Sequence, residues 1–347
     1  MTVAIIGPGT IGAAHAAAWR EVGAEVSYLV SRRADASLQD APDARTVTDL
    51  EVVLGDPSVD IVTICTPTPT HREFAVASLR AGKNVLLEKP MALAVDDAEA
   101  IVKAARESAG VLMVGHVVRF FDAYVRVREL VEAGAVGHPF HVRAERMIAP
   151  PDTPWWFDEE QSGGVAVDLG IHDLDQANLL LGQPIGVRAA ATHPLGPVET
   201  TVRYDDGALA QVMSHARMPA ATSFATALHV TGNAGVITTR FIGGERSVEE
   251  FTVRGGADVG EAADTEEGPV RIVGRGTMTG RIVPVGSNSA HPVPTNPYAR
   301  QAAHFLECVA SGTPSTIAPV EDAIVALRTA LAARDSLRAG GAWMPVS

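Results

Sequence analysis

The sequence predicts an α/β protein in two domains: residues 1–120 as a doubly wound parallel sheet with helices on both faces, and residues 121–347 as a second α/β domain on a largely antiparallel sheet. Three observations predict it. From Val3 to Val114 short β-branched runs alternate with helical patterns, a glycine-rich turn follows the first run, and beyond Phe120 the runs are joined by hairpin turns.

In chain order, "VAII", "EVSYLV", "VDIVTIC", "NVLLE" and "VLMV" are the first-domain strands. Continuous apolar runs followed by helical segments such as "HREFAVASLRAG" and "DDAEAIVKAARESAG" mark strands buried on both faces of a parallel sheet. The grammar changes at Gly115 to Phe120. One helix follows ("AYVRVRELVEAG"), then a strand ("PFHVRAERM"), a loop with Pro150, Pro151, Trp155 and Trp156, and the stretch "SGGVAVDLGIHDLDQ", expected to be helical. "GVRAAATH", "ETTVRYDDG", "ALAQVMSHA" and "SFATALHVTGNAGVITT" are further strands, and their Asp-Asp-Gly and Gly-Asn-Ala-Gly turns make hairpins. The acidic, glycine-rich region Gly243 to Pro269 reads as exposed hairpins and loops, and helices near Tyr298 to Ser311 and Val320 to Gly340 close the chain.

The 347 residues suit two domains, and 46% hydrophobic residues suffice for packed cores. A net charge of -13 argues against nucleic acid or an anionic membrane as partner, since both attract basic surfaces. No run approaches the roughly 20 apolar residues of a membrane span. The first residues, "MTVAIIGPGTIGAAHAAAW", lack the basic start of a secretory signal. Cys65 and Cys308 form no disulfide framework or CxxC pair, which fits a reducing cytoplasm. Without HExxH or clustered ligand spacing, no metal is expected.

"GPGTIG" comprises Gly7, Gly9, Thr10, Ile11 and Gly12 around Pro8, directly after a strand and at the start of a helix. There Gly7 can make the tight turn, Gly9 can let backbone approach a pyrophosphate, and Gly12 can bring helix and strand close. This predicts a dinucleotide site. After the second strand stands Ser31-Arg32-Arg33, 19 residues beyond Gly12, where an NAD site would place an acid on the ribose 2'-hydroxyl. The missing acid and the two arginines favour NADP, with NAD as the alternative; otherwise they are two solvated surface arginines. Thr66, Pro67 and His71 of "ICTPTPTH" and Glu88 with Lys89 of "LLEKPMAL" are assigned to the same cofactor edge.

Pro90 favours an extended backbone at Lys89, at a carboxyl edge where such sheets bind ligands. Asp168 and His172 are one helical turn apart, so they would share a face. Oxidising a secondary alcohol needs a base at the oxygen and a group stabilising its negative charge, and His172, Lys89 and Asp168 supply these. The plainer reading makes Asp168 a helix cap and His172 a core histidine. Asp173 and Asp175 read as solvent-facing or capping residues. His116, Arg119, Trp155, Trp156 and Tyr298 are softer candidates for substrate binding, the tryptophans by stacking on a sugar ring.

Together "GPGTIG", "ICTPTPTH", "EKP" and "GGVAVDLGIHDLDQ", with the ending "NPYARQAAHFLECVASGTPS", resemble the Gfo/Idh/MocA family of sugar and cyclitol oxidoreductases over nearly the whole chain. The resemblance implies a Rossmann domain, then an α/β domain with a large open-faced mixed sheet through which members often oligomerise, here as a homodimer or homotetramer. It also implies that Lys89, Asp168 and His172 match the catalytic positions, and that the substrate is a sugar, sugar derivative or polyol. Two other functions stay open: a glycoside-cleaving enzyme that oxidises its substrate transiently on a retained nicotinamide, and a non-enzymatic redox sensor. A sensor has no need of a proton-transfer set.

Overall fold

The computed structural model describes residues 1–222, 224–243, 248–255, 271–272, 277–280 and 296–347. The chain divides into two compact units, Met1–Phe120 with Gly286–Ile324, and Phe121–Val285 with Val325–Ser347. The hairpins and loops expected over Gly243 to Pro269 lie largely outside the described residues, apart from a strand described below.

The first unit begins β1 (Thr2–Ile6), α1 (Thr10–Glu21), β2 (Glu25–Val30), β3 (Arg45–Val47), α2 (Glu51–Leu54), β4 (Ile61–Ile64), α3 (His71–Arg80), β5 (Asn84–Glu88), α4 (Val95–Glu107) and β6 (Leu112–Gly115). The six strands form one sheet in the order β3-β2-β1-β4-β5-β6, with every pairing parallel. β4 and β6 are buried at every residue, as strands covered on both faces must be. Strand order reverses between β1 and β4, so the carboxyl ends of these two strands open the crevice in which such sheets bind ligands.

The second unit continues with α5 (Asp122–Glu132), β7 (Pro139–Met147), α6 (Glu159–Ser162), α7 (Gly164–Asp168), α8 (Ile171–Leu181), β8 (Pro184–Ala191), β9 (Val198–Tyr204), β10 (Leu209–His215), β11 (Ala225–Gly232), β12 (Gly235–Ile242), β13 (Val248–Gly255), β14 (Arg271–Ile272) and β15 (Thr277–Gly280). These strands, with a last short strand described below, make one large sheet among the described residues. It is antiparallel except where β7 and β10 run parallel. Period-two burial sets its inner face: Val142, Ala144 and Arg146 on β7, and Val198, Thr200, Val202 and Tyr204 on β9. Helix α8 packs on β7.

The closing segment corrects the simple division at residue 120. Helix α9 (Pro297–Ser311) belongs to the first unit, where Ala299, Ala302, Phe305 and Cys308 join the core around Trp19. The Trp19 and Phe305 rings lie 6.4 Å apart. Asn296 starts this helix by accepting the Tyr298 N–H at 3.0 Å, and Pro297 fits its first turn. Helix α10 (Val320–Arg338) crosses the division at Ile324, and β16 (Met344–Pro345) pairs with β8 in the second unit.

Candidate active site

At the carboxyl end of β1 the chain turns through Gly7, whose φ is +87° and whose Cβ, if it had one, would stand 2.9 Å from the Cys65 carbonyl. A Cβ on Gly12 would lie 2.4 Å from the Gly7 oxygen, whereas one on Gly9 would meet nothing within 4 Å. Two glycines are thus demanded by packing, and the third leaves backbone open to a ligand. Helix α1 has no side-chain hydrogen bond at its Gly9 cap and no acid in its first turn, so its first N–H groups and its positive dipole end remain available to an anion. Thr10 and Ile11 are exposed beside them. A dinucleotide pyrophosphate fits this cradle.

Ser31 follows β2, donates its N–H to the Val47 carbonyl and accepts the Arg33 N–H on its hydroxyl at 3.1 Å. Arg32 and Arg33 are exposed. His71 is a strut: its ring is within 2.9 Å of both the Pro90 and the Thr66 carbonyls, tying the turn after β4, with Thr66 and Pro67, to the turn after β5. Burial pushes the His71 pKa down and the two carbonyls oppose it.

Lys89 follows the last residue of β5 and is partly exposed, and its peptide bond to Pro90 is cis. Glu88 beside it is buried. One carboxylate oxygen accepts the Lys89 N–H at 3.1 Å, and the other lies 2.7 Å from Nε2 of the fully buried His15. The His15 ring meets Tyr298 edge-on at 5.2 Å. Burial first, and the Glu88 carboxylate second, push both the Cys65 thiol and the Tyr298 hydroxyl well above their usual ranges.

In the second unit, Gly163 (φ +79°) separates α6 from α7 and Gly164 (φ +74°) opens α7, which explains the paired glycines of "SGGVAVD". The expected single helix is two. Gly170 N–H bonds back to the Val165 carbonyl at 2.8 Å, one residue further than an α-turn, before α8 starts. Leu169 and Gly170 keep right-handed helical angles, so Asp168 and His172 still lie about one turn apart, both partly exposed. Asp168 ends α7 and is therefore no N-cap. Its carboxylate accepts the Trp156 indole N–H at 2.7 Å, and Trp156 is itself buried.

Asp173 and Asp175 depart from the solvent-facing reading: both are buried. Asp173 takes a two-pronged bond from Arg146, at 2.7 and 2.9 Å. Burial is the largest influence on Arg146 and opposes its charge, but Asp173 and Tyr124 together outweigh it and raise the pKa; burial, then Asp173, raises Tyr124 to about 12. Arg119 also departs from its expected role, because it is buried within the first unit and donates to the Ile317 carbonyl and to Asp322, at 2.9 and 2.8 Å. His116 is buried after β6, and Trp155 is partly exposed. Sequence reasoning missed Arg146, whose signal was a charge at an inward position of β7, and His15, a lone imidazole inside an alanine-rich helix. Among the described residues no group of three or more His, Cys, Asp or Glu side chains could hold a metal, and no helix is long and apolar enough to cross a membrane.

Residues 1–116 match the oxidoreductase family with an NAD-binding Rossmann fold, and residues 124–238 match the GFO/IDH/MocA C-terminal domain. The chain is 32% identical over 250 residues to 1,5-anhydro-D-fructose reductase of Ensifer adhaerens, covering 68% of this chain and 74% of that protein. It is 30% identical to the NADP(+) scyllo-inositol 2-dehydrogenase IolW of Bacillus subtilis (strain 168), over 48% of this chain and 47% of that protein. A solved levoglucosan dehydrogenase, in complex with NADH and levoglucosan, shares the fold at a TM-score of 0.81 and 21% identity, covering 100% of this chain and 99% of that one. Matched in both halves by the family's two domains, the chain belongs to the GFO/IDH/MocA oxidoreductases, with an NAD-binding Rossmann fold.

Proposed function

We propose that this oxidoreductase interconverts a secondary alcohol and a ketone on a sugar, sugar derivative or cyclitol, with NADP preferred over NAD. The observation that carries the reading is the contrast along one helical segment. Asp168 and His172 stay partly open while Asp173 and Asp175 are buried, so the segment offers these two of its four acid and imidazole groups to a ligand.

Bound at the glycine turn, the nicotinamide dinucleotide supplies the two-electron acceptor or donor. The rest of the chemistry belongs to the chain. His172 takes the hydroxyl proton during oxidation and returns it during reduction. Lys89 donates a hydrogen bond to the same oxygen and stabilises its negative charge. Asp168, its carboxylate held by Trp156, orients the substrate, and the Trp155 indole offers a face to an apolar sugar surface.

Preference for NADP rests on Ser31-Arg32-Arg33, where no acid meets the ribose and two exposed guanidiniums can take a 2'-phosphate. The relatives' names, an anhydrofructose reductase and an NADP(+) inositol dehydrogenase, support both the substrate class and the cofactor. Exposed Phe140, Ile185, Leu209 and Trp343 in and beside the strands of the large sheet support a homo-oligomer, and the free thiols of Cys65 and Cys308 support a cytoplasmic location. The test is a screen of sugars, inositols and their keto forms with both cofactors, followed by the absorbance of reduced nicotinamide. Turnover of a polyol with better kcat/KM for NADP is expected; turnover without net cofactor reduction or oxidation would contradict it.

A further inference from the structure

Resting on that cofactor reading, we infer that the buried Glu88 carboxylate sets the redox balance of the bound nicotinamide by favouring its oxidised form. The topology gives the placement. The glycine turn after β1 takes the pyrophosphate, and Ser31-Arg32-Arg33 after β2 lies on the ribose-phosphate side. The opposite end of a dinucleotide bound this way would lie toward the carboxyl ends of β4, β5 and β6, and Glu88 is the last residue of β5.

Glu88 is a built charge at that edge. Both of its oxygens face N–H donors, the Lys89 amide and His15 Nε2. A Cβ at Gly115 on β6 would come within 3.0 Å of one of those oxygens, so glycine there keeps room for the carboxylate. His15 meets the carboxylate through Nε2, and its buried Nδ1 has no hydrogen-bond partner. The other titratable neighbours, Cys65 and Tyr298, are held in their neutral forms by burial and by Glu88, and burial holds His71 neutral. The Lys89 ammonium, on the next residue, opposes the carboxylate and lessens its effect on the ring.

An oxidised nicotinamide ring carries a positive charge that the reduced ring lacks. A fixed negative charge in a low-dielectric edge therefore stabilises the oxidised complex selectively. Glu88→Gln keeps the shape and removes the charge. Binding of NADP+ and NADPH to the full chain, by calorimetry and by nicotinamide fluorescence, reads the effect without turnover.

The ratio Kd(oxidised)/Kd(reduced) is expected to rise about ten-fold in Glu88→Gln, equivalent to about 30 mV for a two-electron couple. The double variant His15→Gln with Glu88→Gln pairs two amides, leaves no buried charge, and should show the same rise even if the single variant folds poorly. Glu88→Asp, which keeps the charge, should hold the ratio near wild type. Equal weakening of both forms, an unchanged ratio, or a change of opposite sign would overturn the inference while leaving the cofactor reading intact. A wild-type chain that binds neither dinucleotide would overturn both.

Discussion

The Trp156 indole N–H points at the carboxylate of Asp168 from 2.7 Å, joining the loop after β7 to the end of α7. A hydrogen bond to a charged acceptor contributes about 1.5–3 kcal/mol, enough to fix one orientation of the carboxylate. Trp156→Phe keeps an aromatic ring, though a smaller one, and removes the donor. Steady-state kinetics should show kcat/KM lower by about ten-fold, with dinucleotide affinity unchanged.

The pair Arg146 and Asp173 is buried on both sides, so removing one partner strands the other. Asp173→Asn should cost about 3–5 kcal/mol and lower the melting temperature by roughly 10 °C. Replacing both residues by apolar ones of similar volume should recover most of that loss in calorimetry. If the single and double variants melt together, the pair is not what holds α8 to β7.

Arg32 tests the cofactor preference. Losing a charge-assisted bond to a 2'-phosphate should reduce the NADP-over-NAD ratio of kcat/KM by about ten- to a hundred-fold in Arg32→Ala, with NAD kinetics little altered. An unchanged ratio would assign these arginines to solvent.

His71 gives stability a pH dependence. Its folded pKa is lowered from 6.5 by burial, so the unfolded chain protonates first as pH falls. The stabilisation is complete above about 6.5 and drains away as pH drops toward the folded value. His229 and His304, lowered mainly by burial, add the same sign. Melting temperatures between pH 7.5 and 5.5 should therefore fall, and fall less in His71→Gln.

Much of the fold was legible because its signals are local. "PFHVRAERM" is β7 to the residue, and "GPGTIG" after an apolar run could be read as a strand, turn and helix. What escaped depends on distant partners. Strand β3 is three residues, "RTV", with no pattern until it pairs with β2. The return of α9 to the first unit is decided by Trp19 and Phe305 meeting across the chain. Asp173 looked like a surface acid because its partner, Arg146, lies 27 residues away on an inward strand position. Arg119 looked available for the same reason, its acceptors being Ile317 and Asp322.

The central proposal is that Lys89 and His172 both act in the alcohol chemistry, and kinetic coupling tests it most directly. Turnover rates are needed for Lys89→Ala, His172→Ala and the double variant, with dinucleotide affinity measured alongside. Each single change should lower kcat by about 10²- to 10⁴-fold, and the double should lose far less than the product of the two, as groups acting on one proton transfer do. Wild-type kcat in either single variant, or losses that simply multiply, would contradict the account.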